Sequence, residues 1–252
     1  MDAPADVIGR VGAVLRAVSA LEPAGVTTTE VARAVGLPRP TIHRVLTSLL
    51  AIGFVDRDGY GRWFLGPELY LMGESAARRY DVTEVAAPVV RQLAVATGES
   101  AFFSVRRGSE TVCLIREDGS FPVRSHVLYE GVRFPLGVAS AGLAIMSFLP
   151  DSEVDHLLGH VDSETTYGPG HRPAEIRARI AATRERGYAV NPGLVVEGSW
   201  GIGAAVFGQA GEPRWALSLT GIEQRFSEER RAVMGPMLLQ AAHDLGTALQ
   251  AR

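Results

Sequence analysis

Hydroxyl and basic side chains recur between residues 36 and 49 at positions that suit contact with a nucleic acid. The segment reads GLPRPTIHRVLTSL and contains no acidic residue. Arginine can pair with guanine edges or phosphates, and threonine and serine hydroxyls can donate to phosphate oxygens. The segment therefore predicts contact with DNA, through Arg39, Pro40, Thr41, His43, Arg44, Thr47 and Ser48.

Two short helices joined by a tight turn are predicted to position these side chains. Thr28, itself a candidate DNA contact, or Thr29 can cap the first helix, and Gly36 fits its C-terminal stop. Pro40 suits the first position of the second helix, which we expect over residues 40–52. Apolar residues at spacings of three and four predict one buried face of that helix, made of Ile42, Val45, Leu46, Leu49 and Ile52. The opposite face carries the candidate DNA contacts.

A β-hairpin is predicted directly after this helix pair. Residues 54–57 and 62–65 are short strand candidates with an Asp-Gly turn between them. Arg57 and Arg62 lie near its tip, where they can contact the sugar-phosphate backbone. The helix pair alone is equally compatible with an ordinary helical hairpin that has a solvated polar face. With the hairpin added, the segment predicts a winged helix-turn-helix that binds DNA.

The composition limits the class of protein. A chain of 252 residues is long enough for two domains, and its net charge of −3 gives no bulk attraction to nucleic acid, so any DNA contact is local. The single cysteine, Cys113, excludes an internal disulfide and is expected to be a small core residue. We find no leader and no apolar run near the length of a membrane span, which predicts a cytoplasmic chain without a membrane partner.

Residues beyond the hairpin are predicted to form a linker and a second domain. We expect a winged domain over 1–66, a linker helix over 67–80 and a mixed domain over 81–252. In the mixed domain, strands are predicted at 100–107, 111–117, 123–128, 187–191, 200–207 and 215–220, and helices at 82–97, 151–160, 171–186 and after Ser227. Helices that flank a run of strands indicate an α+β or α/β domain, large enough for a ligand cavity.

A loop of small residues that opens an apolar helix is the candidate binding element of the second domain. It comprises Gly137, Val138, Ala139 and Ser140. The backbone N–H groups of such a loop can bind a carboxylate or a phosphate. Close packing of the helix on a sheet explains the same residues, and the sequence alone favours that explanation.

Signals for a metal, a cofactor or catalysis are weak. His156 and His160 have the spacing of two helical metal ligands, but no third ligand stands at a fixed offset, so we expect solvated histidines and no metal. Gly201-Ile202-Gly203 lacks the third glycine of a dinucleotide fingerprint, so no cofactor is expected. An enzyme that uses a winged domain only for dimerisation is the alternative function, although neither a glycine-rich cofactor turn nor a poised acid or base is found.

Four segments and their order resemble the IclR family of bacterial transcriptional regulators. They are GLPRPTIHRVLTSL at 36–49, FPLGVASAGLAIMS at 134–147, RERGYAVNPGLVVEGSWGIGAAVF at 184–207 and ALSLTG at 216–221. The resemblance implies a winged helix-turn-helix, a linker helix and a GAF/PAS-like mixed α/β effector-binding domain. It also implies a ligand-responsive regulator, a repressor rather than an activator. Its partners would be a near-palindromic double-stranded DNA operator, a small organic or aromatic acid, and its own copies as a dimer or a dimer of dimers.

The resemblance further implies which residues bind the effector. It assigns the backbone N–H groups of the 137–140 loop, together with Asn191, Gly201, Ser218 and Thr220. Ser218 and Thr220 are two residues apart, so on a strand they face the same side, which agrees with that assignment.

The chain departs from the family pattern at several of these positions. Some members have an acidic residue where Asn191 stands and a cysteine where Gly201 stands, and residues 192–196 read PGLVV where an acidic run is usual. A cavity without the acid and with added apolar residues predicts a bulkier, more apolar effector than glyoxylate or pyruvate. Pro40 replaces a common serine, which removes one hydroxyl from the expected phosphate contacts.

Overall fold

The computed structural model describes residues 6–77, 82–124 and 127–251, and the chain divides into two compact units, Met1–Tyr80 and Asp81–Arg252. The elements of the first unit are helices α1 (Val7–Ser19), α2 (Thr28–Val35) and α3 (Arg39–Ala51), strands β1 (Val55–Arg57) and β2 (Trp63–Leu65), and helix α4 (Pro67–Ala77). Strands β1 and β2 form an antiparallel hairpin. The linker helix was predicted to reach residue 80, and positions 78–80 lie outside the described residues.

The first unit packs α1, α2, α3 and the hairpin around one apolar core. Side chains that are at most 1% exposed come from each of these elements and include Val18, Val31, Ile42, Leu46 and Trp63. The buried residues of α3 follow the spacing of three and four that its sequence predicts. Its outer face is thereby turned to solvent.

The start of α2 differs from the prediction by one residue. The cap is Thr27 and not Thr28 or Thr29. The N–H of Glu30 donates to the Thr27 hydroxyl at 3.3 Å, and the N–H of Thr27 donates to the Glu30 carboxylate at 2.8 Å. This reciprocal pair is a capping box, and it selects the threonine that stands three residues before a glutamate.

The turn and the ends of α3 also refine the prediction. Gly36 ends α2 with φ +70°, as predicted. Helix α3 begins at Arg39, so Pro40 is its second residue and not its first. Ile52 was predicted to be buried and is 56% exposed, because it follows the end of α3 where the chain turns at Gly53 with φ +74°.

The second unit is a twelve-element α+β domain in the part that the structure describes, which confirms the predicted fold class. Its strands are β3 (Ser100–Arg107), β4 (Glu110–Glu117), β5 (Arg133–Pro135), β6 (Ala189–Pro192), β7 (Ser199–Phe207) and β8 (Pro213–Ile222). Its α-helices are α5 (Val82–Thr97), α6 (Ser140–Ser147), α7 (Asp151–His160), α8 (Ser163–Tyr167), α9 (Pro173–Arg186) and α10 (Glu228–Gln250). The strands form one sheet in the order β5-β4-β3-β8-β7-β6, and neighbouring strands are antiparallel.

Helices cover both faces of this sheet. Val90 of α5 and Leu238 of α10 pack with Leu217 and Leu219 of β8 on one face. Ala216 of β8 packs with α6, α7 and α9 on the other. Because side chains alternate along a strand, Ser218 and Thr220 share the α6 face with Ala216. Within the described residues, no helix is long and apolar enough to cross a membrane.

Two local predictions in the second unit are wrong. Positions 123, 124, 127 and 128 form no strand, while 125 and 126 lie outside the described residues. Instead β5 pairs with β4, with Val112 opposite Arg133, and so occupies the sheet edge. The helix predicted from residue 171 begins at Pro173, because His171 belongs to a 3-10 turn and proline favours the first helical turn.

Candidate DNA-binding surface and effector site

The outer face of α3 presents most of the predicted DNA contacts together. Thr41 is half-buried, and the exposed members are Arg39, Pro40, His43, Arg44, Thr47 and Ser48. Among the described residues, Arg39 and Arg44 form no ion pair and no side-chain hydrogen bond. Since no acidic residue lies between positions 36 and 51, their charges are not neutralised within the helix. Both guanidiniums are available to phosphates or guanine edges.

The two hydroxyls at the C-terminal end of this face are already hydrogen-bonded. Thr47 Oγ1 donates to the carbonyl O of His43 at 2.8 Å, and Ser48 Oγ donates to the carbonyl O of Arg44 at 3.0 Å. Each hydroxyl must rotate and exchange this bond before it can donate to a phosphate. The net gain from such a contact is therefore small, and the arginines dominate the surface.

Trp63 of β2 connects α3 to the hairpin. Its indole N–H donates to Thr28 Oγ1 at 2.9 Å, and both residues are buried. The ring of His43 meets the indole edge-on with centroids 6.5 Å apart, and the Arg57 guanidinium lies 4.9 Å above its centroid. One buried ring thus positions a side chain of α3 and a side chain of the hairpin.

Two predicted DNA contacts have structural partners instead. Thr28 is 7% exposed and its hydroxyl accepts from Trp63, so it faces the core of the first unit. Arg62 Nη1 donates to the carbonyl oxygens of Ala24 at 3.2 Å and Gly25 at 2.9 Å. Thr28 thus holds the hairpin against the start of α2, and Arg62 holds it against the connection between α1 and α2. Because the bonding partners of Thr28 and Arg62 are far away in the sequence, no local motif indicates these contacts.

A small cavity lies where the N-terminus of α6 approaches strands β7 and β8. Its volume is about 20 Å³, room for about one water molecule. We call it the inner cavity, and its lining residues are Val127, Leu128, Ala139, Ser140, Asn191, Val195, Ser199, Trp200, Gly201 and Thr220. Five predicted effector residues are in this set. Gly137, Val138 and Ser218 are not.

Unsatisfied hydrogen-bonding groups face this region. Thr220 is 7% exposed, and its hydroxyl has no hydrogen-bond partner among the described residues. The residue before α6, Ala139, supplies no side-chain cap. The first N–H groups of a helix lack intrahelical partners, and they favour an anion. Hydroxyl and backbone donors therefore converge on the inner cavity.

Asn191 acts on the cavity wall and not as a free donor. Its Nδ2 donates to the carbonyl O of Val138 at 2.7 Å, and its Oδ1 accepts from the N–H of Leu194 at 2.9 Å. The side chain therefore ties the small-residue loop to the segment after β6. Both ends of the amide thus have protein partners, and direct contact of Asn191 with an effector stays a prediction.

Sequence reasoning missed the apolar wall of the inner cavity. Leu128, Val195 and Trp200 supply it, and they come from three separate segments. Val195 belongs to the apolar PGLVV run at residues 192–196. Leu128 and Trp200 carry no motif, because only the folded sheet brings them beside Gly201.

An outer cleft of about 400 Å³ adjoins the inner cavity. It is lined by Arg124, Val127, Val196, Glu197, Gly198, Ser199 and Ile222, so it shares Val127 and Ser199 with the inner cavity. Arg124 Nη1 lies 2.7 Å from the Asp118 carboxylate.

The other candidate groups show no arrangement for catalysis. Cys113 is buried, and burial raises the pKa of its thiol to about 12, so it is not a nucleophile. His160 Nδ1 lies 2.7 Å from the carbonyl O of His156, with the two rings 4.1 Å apart. Across the described residues, no group of three or more histidine, cysteine or acidic side chains could hold a metal ion.

Comparison with protein families gives two matches that together span nearly the whole chain. Residues 74–247 match the family described as bacterial transcriptional regulator IclR C-terminal, and residues 7–59 match the IclR helix-turn-helix domain. The chain belongs to the IclR family of bacterial transcriptional regulators. The predicted resemblance is confirmed.

Regulators of the IclR family are similar to this chain over most of its length. The HTH-type transcriptional regulator KipR of Bacillus subtilis is 28% identical over 218 residues, 86% of each chain. The transcriptional repressor IclR of Escherichia coli is 27% identical over 257 residues, 98% of this chain and 93% of its own. These relatives are transcription regulators, and they give no support to the enzyme alternative.

Solved structures show the same IclR-family fold. An IclR regulator from Alicyclobacillus acidocaldarius has a TM-score of 0.78 at 25% identity and covers 95% of this chain and 96% of its own. An IclR homologue from Microbacterium hydrocarbonoxydans, solved in complex with 4-hydroxybenzoate, has a TM-score of 0.75 at 23% identity and covers 96% of this chain and all of its own.

Proposed function

We propose that this IclR-family regulator represses transcription from a near-palindromic operator, and that a small aromatic or other organic acid in the inner cavity controls its DNA affinity. The proposal assigns residues 1–66 to DNA binding, residues 67–80 to the linker between the domains and residues 81–252 to effector binding. Because the partner is DNA, the proposed site of action is the cytoplasm. The observation that carries the proposal is the outer face of α3, where Arg39 and Arg44 have no protein partner among the described residues.

Each surface residue has a role in this proposal. The N-terminal half of α3 enters the major groove, where Arg39, Thr41, His43 and Arg44 reach bases or phosphates. Arg57 of the hairpin contacts the neighbouring backbone, and Thr47 and Ser48 add exchangeable phosphate contacts. The roles proposed for Thr28 and Arg62 are structural, since their polar atoms bond within the first unit.

The proposed assembly is a homodimer, or a pair of dimers. Two copies related by a twofold axis place two α3 helices in successive major grooves, about 34 Å apart. A near-palindromic operator mirrors that symmetry. The regulators in the family to which this chain is similar support DNA binding, and the dimer follows from the symmetry that such an operator requires.

The effector acid is proposed to place its carboxylate at the start of α6. The N–H groups of the first helical turn and the hydroxyl of Thr220 donate to it, and Leu128, Val195 and Trp200 contact its apolar body. Among the described residues no basic side chain lines the inner cavity, so this proposal gives the charge to neutral donors. The neighbour solved with 4-hydroxybenzoate supports an aromatic acid as the class to test.

Effector binding requires the inner cavity to open. Ligand sites of drug-sized molecules occupy about 300–1,000 Å³, whereas this cavity is about 20 Å³. Displacement of the 193–198 segment, which carries Val195, would join the inner cavity to the outer cleft. The effector can shift DNA binding only by its preference for the open state over the closed one.

Genome-wide DNA affinity selection with purified full-length protein tests the DNA-binding half. The wild type is compared with Arg44→Ala and with Arg91→Ala, which removes the same charge from an exposed site in the second unit. We expect a short near-palindrome to be enriched by the wild type and by Arg91→Ala and lost with Arg44→Ala. If the wild type enriches nothing, with or without a panel of organic acids, the proposed function is wrong.

Calorimetry with benzoate, 4-hydroxybenzoate, pyruvate and glyoxylate tests the effector half. We expect an aromatic acid to bind most tightly, and Thr220→Val to weaken it by about 10- to 150-fold, the value of one hydrogen bond to a charged group. Ser218→Ala is the matched control, because its hydroxyl is also buried and unpartnered among the described residues but does not line the inner cavity. Tight pyruvate binding without aromatic binding would contradict the proposal.

A further inference from the structure

The tip of the first-unit hairpin has a backbone fixed by hydrogen bonds. Asp58 Oδ1 accepts from the N–H of Tyr60 at 3.0 Å and from the N–H of Arg62 at 2.8 Å. The N–H of Asp58 donates to the carbonyl O of Arg62 at 3.0 Å, and the N–H of Gly61 donates to the carbonyl O of Asp58 at 3.1 Å. Gly61 adopts φ +80°, which closes the turn. The tip therefore has one conformation.

The base of the hairpin is fixed as well. The N–H of Trp63 donates to the carbonyl O of Val26 at 2.8 Å, and the N–H of Val26 donates back at 3.0 Å. The indole donates to Thr28, and the Arg62 guanidinium donates to two carbonyl oxygens of the α1–α2 connection. The hairpin cannot swing relative to α2 without breaking these bonds.

This rigid hairpin presents one aromatic side chain to solvent. Tyr60 is 95% exposed, and its side chain has no hydrogen bond or ring contact among the described residues. The Tyr60 side chain therefore buries almost no surface in the folded protein. The exposed Arg57 guanidinium lies close to Gly61, 3.1 Å from the position that a Cβ would occupy there. The hairpin has two acidic residues. Asp58 accepts hydrogen bonds from backbone N–H groups, and Asp56 points to the opposite face of β1 from Arg57.

The reach of the hairpin matches the spacing of the DNA grooves. With α3 in a major groove, the adjacent minor groove lies about half a helical repeat away, about 17 Å. A three-residue strand spans about 10 Å, and the turn and the tyrosine side chain extend it further. The minor groove is about 6 Å wide and admits the edge of a flat ring.

We infer that Tyr60 enters the minor groove beside each half-site and favours A·T pairs there. This inference rests on the proposed DNA binding. The phenolic O–H donates to adenine N3 or thymine O2, the acceptors that A·T pairs expose in that groove. In G·C pairs the guanine N2 amino group replaces the C2–H of adenine, so it projects into the groove and obstructs the approach of the ring to the acceptors. Arg57 beside the ring neutralises the flanking phosphates.

The test uses the full-length protein and the operator enriched by affinity selection. Adenines flanking each half-site are replaced by 2,6-diaminopurine, which adds the minor-groove amino group and leaves the major-groove edge of adenine unchanged. In fluorescence anisotropy, we expect this DNA to bind the wild type at least 5-fold more weakly than the original operator. Tyr60→Ala should bind both DNAs equally. Tyr60→Phe, which keeps the ring, should show a reduced difference.

Tyr70→Ala is the matched control, because Tyr70 is 68% exposed on α4 of the same unit. It should retain the wild-type difference between the two DNAs. If Tyr60→Ala retains that difference, the inference is wrong while the proposed function stands. If wild type and Tyr60→Ala enrich operators with the same flanking composition, the inference is likewise wrong. Failure of the wild type to select any DNA overturns the proposed function itself.

Discussion

Gly201 and Gly203 lie on the same face of β7, beneath the first turn of α6, and alanine at each position tests what fixes that helix to the sheet. A Cβ at Gly203 would stand 2.6 Å from the carbonyl O of Ser140 and 2.7 Å from its carbonyl carbon. A Cβ at Gly201 would stand 3.1 Å from Ser140 Oγ and 3.3 Å from the carbonyl O of Leu219. A hydroxyl can rotate away, whereas the backbone of Ser140 moves only with the helix.

The two substitutions should therefore differ in their effect on stability. Forcing a methyl group against fixed backbone costs about 1–3 kcal/mol, and replacing glycine by alanine returns about 0.4–1 kcal/mol through the unfolded state. We expect Gly203→Ala to lower the free energy of unfolding by about 1.3 kcal/mol, the difference between the midpoints of these ranges. Gly201→Ala should change it by less than about 0.5 kcal/mol, since its nearest contact is a hydroxyl that can rotate and the Leu219 carbonyl O lies further away, at 3.3 Å. Gly201→Ala should still weaken effector binding, because Gly201 lines the inner cavity.

Urea unfolding of the full-length variants measures the stability difference, and hydrogen exchange of peptides from α6 and β7 assigns it to the second unit. Calorimetry with the effector acid measures the second effect. Equal loss of stability in the two variants would refute the role given to the Ser140 backbone. A Gly203→Ala variant as stable as the wild type would do the same.

Three further predictions concern buried polar groups of the second unit. Glu99 is 2% exposed, and its carboxylate accepts hydrogen bonds from Arg225 Nε at 2.5 Å and Arg230 Nη2 at 3.0 Å. In thermal unfolding, Glu99→Ala should lower the free energy of unfolding by about 3 kcal/mol, the lower end for a broken buried ion pair because both guanidiniums are partly exposed. No loss of stability would refute the pairing. Because burial raises the pKa of Cys113 to about 12, a thiol reagent at pH 8 should label it only after denaturation, and rapid labelling of folded protein would contradict this. Burial and the nearby Arg179 lower the pKa of His171 in the folded protein. As the pH falls below about 6.5, the unfolded state therefore takes up a proton before the folded state does, and the free energy of unfolding should decrease. His171→Gln should lose less stability between pH 7 and pH 5 in urea titrations, and an unchanged slope would contradict the assignment.

Local patterns predicted that most of the candidate DNA contacts share one helix face, because that geometry depends on local spacing. The apolar residues of α3 recur at three and four, so its outer face followed directly. The cap of α2 could also have been predicted, since Thr27 stands three residues before Glu30 and the pair forms a capping box. The roles of Thr28 and Arg62 could not, because Trp63 is 35 residues from Thr28 and Gly25 is 37 residues from Arg62.

The effector site was predictable only where a strand or a loop carried its own signal. The alternation of β8 placed Thr220 on the α6 face, and the small-residue loop marked the start of α6. Strand β5 was missed because three residues ending in a proline give little strand signal. Which hydroxyl reaches the cavity depends on packing: Thr220 lines it and Ser218 does not, although the two residues share one face.

The close contact of Gly203 with Ser140 also has a consequence for how this family diversifies. Beneath the first turn of α6 the contact at Gly203 is backbone against backbone, so that position offers no room for a side chain without displacing α6. Val195 lies in the connection between β6 and β7, where the chain tolerates change in length and side chain more readily. A lineage that acquires a new effector is therefore expected to do so by substitutions and insertions at residues 193–198, while the glycine at position 203 stays the same.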